Sequence, residues 1–319
     1  MSAEQHWATA NRIAGETGDR DSADGGAPSA QSERANRTVR LADGRTLGYA
    51  EYGDRSGKPV LFFHGGGGSR LLGELTDGPA RRLRLRVISP DRPGIGLSDD
   101  QPGRSLLDWA EDVRQLADRL DLGRFAVMGL SNGGAFASAC VRAIPERLTA
   151  AVIVSGMGPP EAPSKGQLPV TRMLLGLSRR SPTLYGALFA ATVRRGQKDP
   201  DRFVERFFVG WPAPDRSALA QPYPGAVFTN AIFEGYRRGG KTVGQDVALT
   251  TRKWGFRLED IPMRVHLWHG DVDTIVPLAT AGYVAGAIPD CVATYCPGEG
   301  HLSVLINRLD EILETVAAT

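Results

Sequence analysis

The chain has 319 residues, 38 Lys and Arg against 36 Asp and Glu, 41% hydrophobic and 23% charged residues, and a net charge of +2. That length buries a core without disulfide or metal staples, the composition excludes a wholly disordered chain, and the balanced charge calls for no nucleic-acid or membrane-surface partner. No apolar run approaches the roughly 18 residues of a membrane span. No secretory leader is expected, and Cys140, Cys291 and Cys296 without a C-x-x-C pair exclude a zinc ribbon or disulfide scaffold, so a cytoplasmic location is expected.

Residues 1–36 are rich in Ser, Ala, Gly, Asp and Glu and carry little apolar period. Burial there cannot offset the ordering entropy, so a disordered tail is expected, with at most a short amphipathic helix over His6 to Ile13. Order begins at Thr38. Thr38 to Leu41, a turn at Asp43-Gly44, and Thr46 to Tyr52 read as a hairpin. Short apolar runs then alternate with helical stretches. The runs are Pro59 to Phe63, Leu85 to Ser89, Phe125 to Leu130 and Ala150 to Ser155; the helices are Leu71 to Leu83, Ser105 to Leu120 and Asn132 to Ile144. This rhythm predicts β-α-β units and a mostly parallel, doubly wound sheet covered on both faces. From 158 to 260 the pattern is helical, with proline interruptions. The rhythm resumes with Arg264 to Trp268, a helix over Leu278 to Ala287, Val292 to Cys296, and a last helix over Leu302 to Val316. The expected architecture is an α/β core over 37–157 and 261–319, with a helical cap over 158–260 inserted after the sixth strand.

The strongest chemical signal is Gly129-Leu130-Ser131-Asn132-Gly133, directly after one apolar run and before a helix. A serine at a tight strand-to-helix turn takes a strained backbone conformation and needs small neighbours two residues away. The turn lifts its hydroxyl clear of the sheet, at a helix N-terminus where negative charge is stabilised. The competing reading is a glycine-rich turn with a capping serine. A serine nucleophile needs a base. Of five histidines, His6 lies in the tail, His64 precedes a glycine run, His266 is mid-strand and His269 follows the same strand by one turn position; His301, in the loop Pro297-Gly298-Glu299-Gly300 after the final strand, is the base candidate. An aspartate should orient that imidazole. Asp271 and Asp273 both follow the strand ending at Trp268, and either could serve.

The run His64-Gly65-Gly66-Gly67-Gly68-Ser69 supplies freely pointing N–H groups for a developing alkoxide, together with the N–H of Asn132. It does not fit a phosphate cradle, because the third glycine is Arg70 and no G-K-S/T follows. Ser131 likewise stands where a dinucleotide fingerprint needs glycine. His266, His269, Asp271 and Asp273 crowd together in sequence, but strand alternation points them apart and their spacing fits no metal-ligand pattern.

Taken together, His64-Gly65-Gly66, Asp91-Arg92-Pro93-Gly94-Ile95-Gly96-Leu97-Ser98, the elbow at Ser131 and the pair Asp273 and His301 resemble the α/β-hydrolase fold family, in its serine-nucleophile branch with a helical cap. The resemblance covers Thr38 to the C-terminus. It implies that Asp273, which precedes x-x-V-P, is the catalytic acid beside Ser131 and His301, that Gly66 is the second oxyanion donor, and that the Asp91 to Ser98 loop is structural. Gly67 stands where many members carry proline. A serine at the elbow argues against the dehalogenase and epoxide hydrolase branches, which use aspartate there.

The expected activity is hydrolysis of a small-molecule carboxylic ester, or a related acyl bond, through an acyl-enzyme. A carbon–carbon bond hydrolase, a lactonase and a non-catalytic small-ligand receptor on the same fold are the alternatives. His64, Gly65 and Trp211 are expected to touch substrate. Phe207, Phe208, Trp211, Phe228, Phe233 and Trp254 are read as an apolar lining. Arg172, Arg179, Arg180, Arg194 and Arg195 read as a solvated face rather than an anion site. The expected partner is a small molecule with an apolar acyl or alcohol part. No cofactor, metal, nucleic acid or membrane span is expected, and a homodimer stays open.

Overall fold

Short apolar runs bounded by Gly, Pro and Asp become the strands of a single eight-stranded sheet in this computed structural model, which describes residues 30–319. Strands β1 (Arg37–Arg40) and β2 (Thr46–Gly53) form an antiparallel hairpin whose turn places Gly44 at φ +86° and the Arg45 N–H on the Asp43 carboxylate at 2.9 Å. β3 (Lys58–Phe63), β4 (Leu85–Pro90), β5 (Phe125–Leu130), β6 (Leu148–Val154), β7 (Val265–Gly270) and β8 (Cys291–Cys296) follow. The order is β1-β2-β4-β3-β5-β6-β7-β8; β2 runs antiparallel to both β1 and β4, and the pairs from β4 to β8 are parallel.

Every residue of β5 is buried, as a central strand covered on both faces requires. Alternation along the strands divides the core in two. Phe62 and Met128 enter one cluster, while Leu61, Phe63 and Val127 enter the other. In the second, Trp109 meets Phe63 and Phe136 edge-on, at 5.4 and 6.2 Å between centroids. Cys140 is fully buried there.

The helices are α1 (Ala30–Ala35), α2 (Asp77–Arg82), α3 (Asp108–Arg119), α4 (Asn132–Ala143), α5 (Pro169–Arg180), α6 (Pro182–Gly196), α7 (Phe203–Phe207), α8 (Ala213–Leu219), α9 (Pro222–Gly235), α10 (Gly240–Thr251), α11 (Leu278–Ala287), α12 (Ser303–Asn307) and α13 (Leu309–Ala317). Helices α5 to α10 lie in the insertion between β6 and β7. Among the described residues no helix is long and apolar enough to cross a membrane.

Buried ion pairs strap this insertion to the sheet. Asp246 of α10 accepts Nε and Nη2 of Arg92 at 2.9 and 2.8 Å and Nη2 of Arg104 at 2.6 Å. Glu234 of α9 meets Arg70 Nη1 at 2.6 Å, and the same nitrogen reaches Asp91 at 2.8 Å. Burial alone would raise the Asp246 carboxyl, but the Arg92 and Arg104 guanidinium groups outweigh it and hold its pKa far below the carboxylate range.

Three local expectations are corrected. The stretch Leu71 to Leu83 is not one helix: a 3-10 turn over Arg70–Thr76 gives way to α2, whose first turn holds Pro79, a residue with no N–H to continue an earlier ladder. The last helix breaks at Arg308, where φ is −112° and ψ is 16°, leaving α12 and α13. Disorder was expected through residue 36, yet Ala30–Ala35 is helical; Ala35 is 3% exposed and its carbonyl accepts Arg70 Nε at 2.6 Å. The rest of that tail, including the helix expected over His6 to Ile13, lies outside the described residues.

Candidate active site

Ser131 occupies the turn between β5 and α4 at φ 54°, ψ −118°, a conformation that is strained for a residue with a Cβ. Its N–H donates to the Val154 carbonyl at 2.9 Å, and its own carbonyl accepts Met157 N–H at 3.0 Å. Both glycines of the motif are required by space. A Cβ at Gly129 would run into the Gly133 carbonyl, and one at Gly133 would run into the carbonyl of Phe63. The Asn132 side chain lies against Gly66, where a Cβ would stand 2.7 Å from its Oδ1, and its Nδ2 donates to Thr250 Oγ1 of α10 at 2.6 Å.

The loops after β7 and β8 bring Asp273 and His301 together, with His301 Nδ1 2.7 Å from Asp273 Oδ2. An ionised carboxylate only accepts, so Nδ1 carries the hydrogen and Nε2 keeps its lone pair. The other Asp273 oxygen is fixed by the N–H groups of Ile275 and Val276 at 2.8 and 2.9 Å. Asp271 does a different job, accepting the Gly298 N–H at 2.7 Å on the surface. Burial of His301 pushes its pKa down, but the charge and hydrogen bond of Asp273, with the charge of Asp215, outweigh this and lift it above 6.5. His269 lies 3.5 Å from the same Asp273 oxygen and donates Nε2–H to the Val276 carbonyl at 2.8 Å. Burial holds it below 6.5, so it stays neutral.

Gly65 and Gly66 line a cavity together with Ser131, Asn132 and His301, and neither the Gly66 nor the Asn132 backbone N–H has an acceptor among the described residues. Gly67 sits at φ +74°, a value closed to proline. Arg92 braces the loop from beneath, donating to the carbonyls of His64 at 2.7 Å and Gly65 at 3.3 Å, with its guanidinium 4.4 Å above the Phe136 ring.

His64 is not where a substrate contact would be. It is fully buried and absent from the cavity wall, and its Nδ1–H donates to the Gly65 carbonyl at 2.8 Å. Burial and the neighbouring Arg92 push its pKa down to about 3, so the ring is a neutral support under the glycine loop.

The cavity holds about 410 Å³ and is mainly apolar. The insertion contributes Leu174, Phe207, Phe208, Trp211, Phe228 and Tyr236 to its wall. Trp211 also meets the His301 ring edge-on, at 5.5 Å between centroids. Two expected lining residues are elsewhere: Trp254 belongs to the core beneath the sheet, with its indole N–H on the Thr250 carbonyl at 3.1 Å, and Phe233 lines a neighbouring cleft. That cleft is larger, about 1160 Å³, and shares Phe208 and Val209 with the cavity, but Ser131 and His301 do not reach it. Arg172, Arg179, Arg180, Arg194 and Arg195 are all exposed and none lines the cavity.

Two buried aspartates of the insertion, Asp215 and Asp246, support the site and carry no motif of their own. Asp246 meets Arg92 across 154 positions, and Asp215 meets the His301 backbone across 86. Only the three-dimensional fold brings such pairs together.

A family model described as the alpha/beta hydrolase fold matches residues 58–305. A non-heme chloroperoxidase from Streptomyces lividans is 37% identical over 131 residues, which are 38% of this chain and 45% of that protein. The chain spans less than half the length of the curated relatives it matches. An esterase from a Rhodococcus species superposes with a TM-score of 0.63 at 20% identity, over 89% of this chain and 99% of the other. A meta-cleavage product hydrolase from Pseudomonas fluorescens does so with 0.63 at 19% identity, over 89% and 97%. At those identities the likeness is one of fold. With the family model spanning most of its length, the chain belongs to the α/β hydrolase fold family.

Proposed function

We propose that the protein is a serine hydrolase that cleaves a small carboxylic ester, or a related acyl bond, through an acyl-enzyme. The observation that carries this reading is the 2.7 Å contact of Asp273 with His301, at the edge of a cavity that Ser131 also lines from its strained turn. Ser131 Oγ attacks the carbonyl carbon and gives its proton to His301 Nε2. The N–H groups of Gly66 and Asn132 take the oxyanion, a donor of this kind being worth about 10² to 10³ in kcat. The imidazolium, stabilised by Asp273, returns its proton to the leaving alcohol. Water then repeats the sequence on the acyl-enzyme and frees the acid.

A cavity of about 410 Å³ with an apolar wall supports a compact acyl or alcohol part. A series of p-nitrophenyl esters of increasing acyl length, mixed rapidly with the enzyme, tests the reading. A burst of about one p-nitrophenolate per chain on short and medium esters is expected. Turnover of a lactone or a β-diketone without any ester turnover would replace the ester reading with one of the other hydrolytic ones, and binding without turnover would favour a receptor.

The pH dependence has a definite sign. The base works only when neutral, and the His301 pKa lies above 6.5. The acid limb of kcat/KM should therefore have its midpoint above that value, with activity rising toward alkaline pH. A pH–rate profile whose acid limb lies at 5 or below would contradict this assignment of the base.

A further inference from the structure

Asp215 belongs to α8 of the insertion, yet its carboxylate is completely buried against the loop that carries His301. Oδ2 accepts the His301 N–H at 3.0 Å, and Oδ1 accepts the N–H groups of Leu302 and Ser303 at 2.7 and 2.8 Å. Gly300 makes this approach feasible, since a Cβ there would stand 2.5 Å from Oδ2. We infer that Asp215 is a positioning residue: Asp273 holds the imidazole ring of His301 while Asp215 holds its backbone and places a second negative charge beside it. The inference rests on the reading of His301 as the base.

A serine or asparagine offers a single acceptor oxygen, so neither takes all three N–H groups that the two carboxylate oxygens share. A carboxylate does more, because a charge buried beside the ring favours the imidazolium formed in each half-reaction. Trp211, two residues before α8, covers the edge of the same ring. One segment of the insertion thus touches both the backbone and the ring of His301, and its seating on the sheet fixes the base.

The ionisable groups around His301 are few. Asp273 is bonded to it, His269 is neutral and bonded to the Val276 carbonyl, and Glu299 is occupied by Asn307 at 3.0 and 3.3 Å. Arg216, next to Asp215, is exposed and lines the neighbouring cleft. Asp215 is the remaining acid: burial raises its own pKa, the three backbone N–H donors and the charge of His301 oppose that, and its field is part of what lifts the His301 pKa.

The test is a titration of the His301 imidazole by NMR in the full-length protein and in Asp215→Asn, alongside the pH profile of ester hydrolysis. The expected result is a His301 pKa lower by up to about one unit in the variant, with the acid limb moved by the same amount and in the same direction. Plateau kcat should fall about tenfold with KM within about twofold. A purely structural cap would lower stability and leave the pKa and the acid limb in place, and that outcome overturns the inference. If Asp215→Asn does not fold, Gly300→Ala carries the test, because its methyl displaces the carboxylate without removing it; an unchanged His301 pKa there also overturns the inference. A parent enzyme with no ester turnover would remove the ester reading, while the NMR titration would still decide whether Asp215 acts on His301.

Discussion

Replacing Ser131 by Ala is expected to lower kcat by about 10⁴ to 10⁶, with KM changed little and the melting temperature unchanged or raised. The size follows from the role: without Oγ no acyl-enzyme forms, and the remaining rate reflects binding and the N–H donors alone. The stability expectation follows from the backbone. The turn holds φ at 54° through Gly129, Gly133 and the Val154 and Met157 hydrogen bonds rather than through the hydroxyl, so the variant keeps its shape. Steady-state kinetics with circular dichroism on both proteins check this, and a variant retaining more than about one hundredth of the parent turnover would contradict it. Asp273→Asn should act more mildly, about 10⁴-fold, because it leaves the nucleophile intact and spoils only the tautomer and the stabilisation of the imidazolium.

The second large effect is on stability. Asp246 is completely buried, and its removal leaves two guanidinium groups, one fully and one almost fully buried, without their anion. Breaking one side of such a network costs about 3 to 5 kcal/mol, so Asp246→Ala should lower Tm by roughly 10 °C. Arg92 also braces the His64 and Gly65 carbonyls, so the variant should lose activity well below its melting point as the glycine loop loosens.

The pH dependence has a sign that can be checked. The Asp246 carboxyl is depressed in the folded protein. Its contribution is therefore full above the ordinary carboxylate pKa of about 4 and is lost as pH falls toward the folded value. The stability gap between parent and variant should be constant from pH 5 to 8 and close in stronger acid. Thermal denaturation at several pH values measures it, and a gap under about 1 kcal/mol at pH 7 would mean the strap contributes little.

Much of this molecule was legible in its sequence because the relevant signals are local. Apolar runs bounded by glycine and proline mark strands, and the Gly129 to Gly133 spacing marks a turn that only small residues can close. Sheet order was not legible: β4 lies between β2 and β3, a matter of which edges meet rather than of any pattern within a strand. The 3-10 turn over Arg70–Thr76 was missed because its apolar spacing passes for α-helix, and the placement of Pro79 decides where the α-helix begins. His64 adjoins the glycine loop and is expected to touch substrate, yet its ring is fully buried and held on the Gly65 carbonyl, away from the cavity wall. Asp215 sits in Pro212-Ala213-Pro214-Asp215 and looks like any acidic residue in a helix's first turn. Its partners lie 86 to 88 positions away, so nothing local announces it.

The proposed function stands on Ser131 being an activated nucleophile served by His301. Treatment of the full-length protein with a fluorophosphonate, followed by intact-mass measurement and peptide mapping, tests it most directly. One adduct per chain, on the peptide containing Ser131 and absent from Ser131→Ala, is the predicted result. A folded protein that takes up no adduct, or takes it up at another residue, would contradict the account.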